Sequence, residues 1–596
     1  MFGDKTYFDG FTWVMFPKAN GISNTFTYEF WVKAEEQQLL DPEKSLGNDG
    51  LVGKKYVVGP DFYPYGSAGC GISVGTNGIS VYEHSSNHIP ARLVYPYDFS
   101  SWQHVAIVSD NRKLRLYING QHRKVEGADS VVDHLYPSLC LGGHQYGAFK
   151  GEVSEFRLWS TIRTEAELKA NMHSKLNGME KGIYFYRDLD RGIVIQHGVV
   201  KNIAVSVIMP SHNRCPLNHF SLLSLDKQQF PSEQMEVVFL DDNSSDATSS
   251  LYELINPGYS FIYVQSRKNR GRSTIRNIGA RIAAGSTFIF LDAEMICAPD
   301  FVGNHAQHHL SGDRKVVSGA LKLKRIFTII DPEFSLQQIA QLKECYSNHP
   351  VAAELIDRFL EGDRAQVQLL PFDMMFDSNH LRKWNYTTPY YENILLNYGD
   401  EFQNYHFPWI NLITNNASMT RELFEEIGGF DEHFLGFGWE DWELGYRAAQ
   451  HGATFIHDDS VINFHQDHPV PSDNLFQATQ NYIKFCEKYP DDKAVKLFSL
   501  TMLAGPDPFN DLSEYLTEYN RIKAQYPQRF NAFYNYMDSA LNLLPQRLRA
   551  DDRITPFVMD EHISKMEKAD VENEVSVICE MSTFPRLIEL YKRLSN

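Results

Sequence analysis

Acidic and amide side chains follow three short apolar runs in the middle of the chain. They lie in residues 210–214, 241–246 and 291–294. Asp292 and Glu294 stand two positions apart, so both carboxylates can reach one side of a hard divalent cation, which prefers oxygen ligands. Taken singly, the acids of the second and third groups could equally form an Asx turn or cap the segment that follows.

A second group of acids follows a glycine-rich stretch in residues 436–443, GFGWEDWE. Glycine lets the backbone approach a ligand closely, and a carboxylate in this position can act as a general base. The acids could instead lie in a first helical turn and complement its dipole, but that interpretation does not explain the glycines and the tryptophan. His465 and His468 follow a further apolar run and are candidate metal ligands, although a lone histidine is usually structural.

Short apolar runs that alternate with helix-length segments indicate how these groups are positioned. The runs at 205–209, 235–240 and 287–291 are predicted strands of a parallel, doubly wound sheet. In such sheets ligands bind beyond the carboxyl ends of the strands, which is where the first three groups fall. We therefore expect an α/β domain in two halves, residues 200–330 and 401–470.

Helical segments are predicted on either side of the second half. Residues 331–400 contain PEFSLQQIAQLKECY and AAELIDRFLEG, and residues 471–596 contain NLFQATQNYIKFCEKY. All three stretches carry apolar side chains three and four positions apart. We expect a mainly helical insertion and a helical C-terminal region, which could contact an acceptor or a second subunit of a homo-oligomer.

The pattern of residues 1–175 is typical of antiparallel strands. In residues 25–32, TFTYEFWV, apolar side chains alternate, which predicts a half-buried strand. Asn119-Gly120 favours a two-residue hairpin after a predicted strand. Thr164 and Glu167 have capping-box spacing, so a helix should close the domain at about residue 175. Many short strands separated by turns predict a β-sandwich of the jelly-roll type.

The composition disfavours several classes of function. The chain has 596 residues and a net charge of −19, which argues against binding to nucleic acid or to an anionic membrane surface. Its seven cysteines lack C-x-x-C spacing, which argues against a disulfide framework or a structural zinc site and favours a reducing compartment. There is no secretory signal and no run of about 18 apolar residues. We expect a soluble, cytoplasmic protein without an integral membrane segment.

The strand-end groups together resemble the GT-A fold of family-2 glycosyltransferases. The family pattern is roughly V-S-V-I-x-P-x-x-N, V-D-D-x-S-x-D, N-x-G-x-x-x-A-R-N and D-x-D, and it is matched over about residues 203–470 apart from the insertion. The resemblance implies a nucleotide-diphosphate sugar donor, most commonly with UDP, whose base N–H is accepted by Asp242. The positions that match donor-binding residues of the family are Pro210, Ser211, Asn213, Asp242, Asn269, Arg276 and Asp292.

The same resemblance implies a divalent metal, Mn²⁺ or Mg²⁺, that neutralises the charge of the leaving diphosphate. Asp292 and Glu294 match its carboxylate ligands, and His465, with His468 as the alternative, matches a histidine ligand after the last strand. The second acid of this motif is usually Asp, so Glu294 departs from the family pattern.

Residues 436–443 look like the G-W-G-x-E-D motif of inverting transferases, with Phe437 in place of one glycine. The resemblance implies a direct displacement in which Asp441 acts as general base while Glu440 holds the acceptor. Trp439 could stack on an acceptor ring. The acceptor could be a glycan, a peptide or a small molecule.

The N-terminal stretches WQHVAIVSDNRKLRLYING and GEVSEFRLWS resemble laminin-G-like, or concanavalin-like, domains over about the first 160 residues. Such a domain could recognise an acceptor or serve as a packing and oligomerisation unit, and its aromatic side chains, including Trp13, Trp31 and Tyr95, do not decide. The alternative to an active transferase is an inactive GT-A scaffold that binds carbohydrate or protein. An inactive enzyme would usually have lost one of the acids, and none is lost. A processive membrane synthase is disfavoured because the chain has no transmembrane run and no Q-x-x-R-W motif.

Overall fold

The computed structural model describes residues 5–19, 21–44, 52–64, 66–85, 89–177, 180–188, 193–196, 199–362, 365–370, 376, 378–387, 391–503, 509–549 and 565–595. The chain forms two compact units. One comprises Met1–Gln307 with Thr420–Glu422, and the other comprises His308–Met419 with Leu423–Asn596.

Strands dominate the first unit. In chain order they are β1 Lys5–Asp9, β2 Thr12–Met15, β3 Phe26–Ala34, β4 Tyr56–Gly59, β5 Ser67–Gly75, β6 Gly78–His84, β7 Ala91–Tyr95, β8 Gln103–Asp110, β9 Lys113–Ile118, β10 Gln121–Val125, β11 His134–Pro137, β12 Cys140–Leu141, β13 Gly143–His144, β14 Gly147–Ala148, β15 Lys150–Trp159, β16 Ile183–Asp188, β17 Ile193–Gln196, β18 Val199–Asn202, β19 Val205–Ser211, β20 Met235–Asp241, β21 Ser260–Ser266, β22 Thr287–Phe290 and β23 Met295–Cys297. The described α-helices up to Gln307 are Glu165–Asn171, Leu217–Leu225, Leu251–Leu254, Arg272–Ile282 and Phe301–Gln307.

The N-terminal region is a β-sandwich, and one of its sheets is antiparallel in the order β10-β9-β8-β3-β15-β16-β17-β18. Its central strand β3 is buried on both faces, since Val32 is 0% exposed and Glu29 on the opposite face only 1%. The prediction of a half-buried strand is therefore wrong. The chain after the helix Glu165–Asn171 covers the second face, where Trp31 Nε1 donates to the Met172 carbonyl at 2.9 Å.

The other sheet of the sandwich continues directly into the sheet of the α/β domain. Its order is β7-β6-β5-β4-β12-β2, and β2 pairs antiparallel with β21, from Thr12 opposite Ser266 to Met15 opposite Tyr263. Strand β21 pairs in parallel with β20, β20 with β19, and β19 with β22. The sandwich and the α/β domain therefore share one hydrogen-bonded sheet.

Three of the parallel strands, β19, β20 and β22, confirm the predicted runs, whereas β21 was not predicted. The helix Arg272–Ile282 lies close against this sheet. A Cβ atom on Gly279 would stand 2.7 Å from Leu240 Cδ1 and 3.0 Å from Ile208 Cγ2. Glycine is therefore the residue that permits this close approach of helix and strand.

The predicted local signals of the sandwich are confirmed. Asn119 and Gly120 both have positive φ, 52° and 70°, and join β9 to β10, as a two-residue hairpin turn requires. Thr164 caps the next helix, because its hydroxyl accepts from Glu167 N at 3.3 Å while the Glu167 carboxylate accepts from Thr164 N at 2.8 Å. That helix ends at Asn171.

Helices dominate the chain after residue 307. The described strands there are β24 Lys315–Ser318, β25 Lys324–Ile326, β26 Ile329–Ile330, β27 Val367–Gln368, β28 Tyr386–Thr387, β29 Ala417–Thr420, β30 Thr454–His457 and β31 Asn463–Gln466. The α-helices are Leu336–Tyr346, Pro350–Glu361, Ser378–Trp384, Glu392–Tyr398, Arg421–Glu426, Glu440–Gln450, Asn474–Lys488, Lys493–Leu497, Ser499–Leu503, Phe509–Gln525, Asn531–Arg549, Lys565–Met581 and Pro585–Ser595. The predicted helical character of the C-terminal region is thus confirmed, and four of the described helices lie within residues 331–400.

Short strands pair in several places in the second unit, among them β26 with β27. Strand β24 pairs in parallel with β30 and antiparallel with β29. Strand β25 pairs in parallel with β31 and antiparallel with β28. All seven cysteines are free thiols. Among the described residues, the structure contains no helix with the length and apolar character needed to cross a membrane.

Candidate functional site

The predicted site residues of the first unit lie at the carboxyl ends of β19, β20 and β22. Ser211 ends β19 beside Asp241 of β20, and its carbonyl accepts from Asp242 N at 2.8 Å. The Ser211 hydroxyl accepts from Asn218 Nδ2 at 3.1 Å and is buried, so it fixes the following helix. Pro210 precedes it and is half-buried.

Asn213 ties the loop after β19 to the loop after β20. It adopts a positive φ of 52°, and its side-chain oxygen accepts from Ser245 N at 2.7 Å. The imidazole Nδ1 of His212 lies 2.9 Å from the Asp242 carbonyl oxygen. The two strand-end loops therefore hold each other in place.

The two aspartates that end β20 have different surroundings. Asp241 is fully buried, and its carboxylate accepts from Tyr263 Oη at 2.6 Å and from Ser244 N at 2.9 Å. Asp242 instead accepts two backbone N–H groups from a separate loop, those of Arg270 at 2.7 Å and Gly271 at 2.9 Å. Burial raises the pKa of Asp242 to about 6, although these two hydrogen bonds favour the charged carboxylate.

Asn269 and Arg276 belong to the loop and helix that Asp242 anchors. The side-chain oxygen of Asn269 accepts from Gly271 N at 3.0 Å. Gly271, with a φ of 79°, is the cap of the helix Arg272–Ile282. From that helix the buried Arg276 guanidinium donates to Asp292 Oδ1 at 2.8 Å, just beyond the end of β22.

The predicted metal-binding carboxylates of the first unit both face arginine. The Asp292 side chain is 25% exposed and pairs with Arg276. Glu294 lies 3.4 Å from the Arg214 Nε atom. Arg214 was not singled out by the sequence, although it directly follows Asn213 in the strand-end loop. Two carboxylates at one sheet edge are the donor set that a hard divalent cation prefers, so these residues fit Mn²⁺ or Mg²⁺.

The glycine-rich stretch of the second unit leads into the helix Glu440–Gln450. Gly436 and Gly438 have φ angles of 75° and 91°, and a Cβ on Gly436 would stand 2.2 Å from Gln477 Oε1. Asn481 Nδ2 donates to the Leu435 and Gly438 carbonyls, both at 2.9 Å. The stretch is therefore fastened to the helix Asn474–Lys488.

Trp439 lies in an aromatic cluster of the second unit and is only 7% exposed. Its ring centroid is 4.5 Å from that of Tyr482 and 5.0 Å from that of Trp442. Phe485 and Phe498 each lie 5.9 Å away. This burial argues against the expected stacking of Trp439 on an acceptor ring and gives the side chain a packing role.

Glu440 and Asp441 occupy the first turn of the helix Glu440–Gln450, as the dipole interpretation required. Glu440 is 4% exposed, whereas Asp441 is half-buried. The Asp441 Oδ1 atom accepts from Trp442 N at 2.9 Å. Asp441 is thus the more accessible acid of the pair, as a group that takes a proton from a ligand should be.

Glu443 on the same helix forms a buried charge network that the sequence did not indicate. It is 0% exposed, and its carboxylate accepts from the Nε and Nη2 atoms of Arg447, each at 2.8 Å. Lys488 Nζ and Tyr489 Oη donate to it at 2.7 Å each. Lys488 also pairs with Asp431 at 2.6 Å. The network fixes the helix that carries Glu440 and Asp441.

The two candidate histidine ligands are neighbours. His465 lies on β31, and its ring centroid is 5.3 Å from that of His468. The His468 Nδ1 atom is 2.8 Å from the Pro469 carbonyl oxygen. Both imidazoles are half-buried, so each retains the accessibility that a ligand requires.

Three protein-family profiles match separate parts of the chain. "Glycosyl transferase family 2" matches residues 206–330, and "Concanavalin A-like lectin/glucanases superfamily" matches residues 8–169. "N-terminal domain of galactosyltransferase" matches residues 399–464.

Two similar proteins of known sequence are glycosyltransferases by name. The uncharacterized glycosyltransferase YfnE of Bacillus subtilis (strain 168) is 28% identical over 57% of this chain and 84% of its own length. The validoxylamine A glucosyltransferase of Streptomyces hygroscopicus subsp. jinggangensis (strain 5008) is 28% identical over 48% of this chain and 61% of its own length.

A solved mannosyltransferase from Pyrobaculum calidifontis, in complex with GDP-Man and Mn²⁺, is 18% identical, with a TM-score of 0.32, over 58% of this chain and 87% of that one. The family-2 profile spans the ends of β19, β20 and β22, where the predicted site residues lie. Residues 206–330 are a family-2 glycosyltransferase domain, and residues 8–169 before it are a concanavalin A-like domain.

Proposed function

We propose that this chain transfers a sugar from a nucleotide-diphosphate donor, a UDP-sugar, to a hydroxyl of a glycan, peptide or small-molecule acceptor. The observation that carries the proposal is the cluster at the carboxyl ends of β19, β20 and β22. There Asp242 anchors the loop that leads into the helix of Arg276, and Arg276 in turn holds Asp292. The names of the similar sequences support the same class of reaction.

In this proposal Asp242 binds the base of the donor, and the diphosphate of the donor lies at the carboxyl end of β22. Asp242 keeps lone pairs beyond those that accept the loop N–H groups, so it can also accept a base N–H. The loops around Asp242 are held by hydrogen bonds of Ser211, Asn213 and Asn269. Pro210 directly precedes Ser211 at the end of β19.

Asp292 and Glu294 are the proposed carboxylate ligands of Mn²⁺ or Mg²⁺, with His465, or alternatively His468, as a histidine ligand. A bound divalent cation would offset the negative charge that develops on the leaving diphosphate. The arginines that face both carboxylates hold them in place.

The transfer is proposed to invert the anomeric centre. A direct displacement needs one base to take the acceptor proton, and Asp441, the half-buried acid at the start of the helix Glu440–Gln450, is proposed for that role. Glu440 is proposed to hold the acceptor hydroxyl. The free thiols favour a reducing, cytoplasmic compartment for this enzyme.

The test is release of free nucleotide from a panel of UDP-sugars and other nucleotide-sugars, with Mn²⁺ and with a chelator. Many transferases slowly hydrolyse their donor, so no acceptor is needed. We expect metal-dependent release from one donor, its loss in Asp292→Asn, and loss of transfer in Asp441→Asn once an acceptor is found. Asn at position 292 can still accept from Arg276, so its loss of activity would report the missing charge.

A matched control is Asp226→Asn. Asp226 is exposed, and its Oδ1 atom accepts from Gly258 N at 2.9 Å, near the amino end of β21. This variant should release nucleotide at the wild-type rate. If the wild-type protein neither releases nor binds any nucleotide, the transferase proposal is wrong and the inactive-scaffold alternative takes its place.

A further inference from the structure

The concanavalin A-like domain touches the loop that Asp242 anchors. This loop, residues 267–271, is called the donor loop below. It follows β21 directly, and β21 is the strand that pairs with β2 of the N-terminal domain. The donor loop therefore emerges at the place where the two domains share their sheet.

An ion pair joins the two domains at this loop. The Asp9 Oδ2 atom lies 2.9 Å from the Arg270 Nη2 atom, and both side chains are largely buried. The other carboxylate oxygen of Asp9 accepts from Phe11 N at 2.9 Å and from Thr12 N at 3.0 Å. The backbone N–H groups of its own turn thus hold the Asp9 carboxylate in position to pair with Arg270.

Phe11 and the residues beside it hold the rest of the donor loop. The Phe11 carbonyl accepts from Arg267 N at 2.9 Å, and Lys268 Nζ lies 3.8 Å from the centre of the Phe11 ring. The Arg267 guanidinium lies 5.3 Å from the Trp13 ring centre and donates to the His144 carbonyl at 2.7 Å. The N-terminal domain therefore contacts three of the five residues of the donor loop by side chain or backbone.

The opposite side of the donor loop faces Asp242, the proposed acceptor for a base N–H. Arg270 is held at two points. Its guanidinium pairs with Asp9, and its backbone N–H donates to Asp242 at 2.7 Å. Gly271 N donates to the same carboxylate at 2.9 Å and begins the helix of Arg276. A displacement of Arg270 would therefore move the Asp242 carboxylate and the start of that helix together.

We propose that Asp9 and Phe11 of the concanavalin A-like domain are positioning residues for the nucleotide pocket. They hold the donor loop in the conformation that presents Asp242, so that binding of a nucleotide need not order the loop. This inference rests on the proposed function. It gives the N-terminal domain a part in donor binding, independent of any acceptor that the domain recognises.

The test separates positioning from mere support of the fold. Asp9→Asn, Arg270→Gln and the double variant are compared in the full chain by calorimetry with UDP and Mn²⁺, by donor hydrolysis and by thermal unfolding. We expect each single variant to weaken nucleotide affinity and raise the donor KM by about tenfold, because the loop must then be ordered on binding. The kcat value and the unfolding temperature should stay near those of the wild type.

The double variant should be no worse than either single variant, because both changes remove the same ion pair. Asp9→Glu, which keeps the charge, should restore part of the affinity. The control is Asp110→Asn, since Asp110 at the end of β8 forms an ion pair at 3.0 Å with Arg115 of β9, within the N-terminal domain. That variant should bind UDP as the wild type does.

Three outcomes would overturn the proposal. If the Asp9 and Arg270 variants bind UDP with wild-type affinity, the positioning role is wrong while the proposed function stands. If they lose affinity only in proportion to a lowered unfolding temperature, the ion pair supports the fold and nothing more. If the wild-type protein binds no nucleoside diphosphate at all, the proposed function fails and this inference fails with it.

Discussion

At the residue scale, the neighbouring Asp241 and Asp242 at the end of β20 have the same side chain but different surroundings. The Asp241 carboxylate faces the buried Tyr263 hydroxyl, whereas the Asp242 carboxylate faces backbone N–H groups of the donor loop. Burial raises the pKa of Asp242 to about 6. Its carboxylate is therefore about nine-tenths charged at pH 7 and loses this charge progressively as the pH falls through 6.

We accordingly predict that nucleotide affinity depends on pH through Asp242. Protonation weakens both the loop anchor and the acceptor for a base N–H, so affinity should fall by about tenfold from pH 7 to pH 5. Calorimetry with UDP across this range measures the effect. Asp242→Asn should bind weakly at every pH, with a flat profile.

His212 is the control for this prediction, since its ring Nδ1 atom lies 2.9 Å from the Asp242 carbonyl oxygen. The wild-type pH profile should persist in His212→Gln. A profile that flattens in that variant would contradict the role of Asp242.

A second prediction at the residue scale concerns Asp292 and stability. Arg276 is 1% exposed and donates to Asp292 at 2.8 Å, so Asp292→Ala removes an acceptor from a buried guanidinium. We expect this variant to lose roughly 1–3 kcal/mol of unfolding free energy. Asp292→Asn, which retains an oxygen acceptor, should lose clearly less. Urea unfolding measures both, and equal losses would show that the hydrogen bond contributes little.

The sequence identified most of these side chains but not how each is held. Asp242, Asn269, Arg276 and Asp292 were all predicted as site residues, and the structure places them on adjoining loops and strand ends of one sheet. The choice between Asp241 and Asp242 rested on resemblance alone. Its physical basis lies in β21 and in the donor loop, which are distant in sequence, so no local pattern could reveal it.

At the scale of elements, the helix Glu440–Gln450 depends on an acid that faces inward. Glu443 is 0% exposed, and although burial opposes its charge, hydrogen bonds from Arg447, Lys488 and Tyr489 outweigh this and hold its pKa below the usual value. A lowered pKa means that its stabilising contribution is present above about pH 4.5 and is lost as the pH falls below that value.

We predict that Glu443→Ala destabilises the protein by roughly 1–3 kcal/mol, because it removes the buried carboxylate that accepts hydrogen bonds from both Arg447 and Lys488. Thermal unfolding at pH 7 is the measurement. The control is Glu426→Ala, since Glu426 pairs with Arg314 at the surface, and its unfolding temperature should not change. Similar shifts in the two variants would contradict the importance of the buried network.

Elements were predicted well where periodicity is local and less well where burial depends on distant partners. The runs of β19, β20 and β22 and the turn at Asn119-Gly120 follow from neighbouring residues alone. Strand β3 was expected to be half-buried because polar side chains alternate along it. One of these, Glu29, is instead buried with Trp159 Nε1–H as a partner at 2.9 Å, and that partner lies 130 positions away.

At the scale of the whole chain, two domains that the sequence predicted as separate share one sheet. Residues 1–175 and 200–330 were predicted as separate domains, yet β2 forms the neighbour of β21 in one continuous sheet. The local sequence of a four-residue strand such as Thr12–Met15 does not predict which strand it pairs with. Pairing over about 250 positions is set by the tertiary fold, and only the structure reveals it.

We therefore predict that a truncated chain of residues 200–596 will not fold in isolation. Without β2, strand β21 would expose its backbone N–H and C=O groups along an edge that carries the fully buried Tyr263 and Val264, and such apolar edges aggregate. Size-exclusion chromatography and circular dichroism should show an aggregated product, whereas production together with residues 1–199 as a second chain should restore soluble material. A monomeric truncated chain that unfolds cooperatively and binds UDP as the full chain does would contradict the shared sheet and would also remove the basis for the role of Asp9.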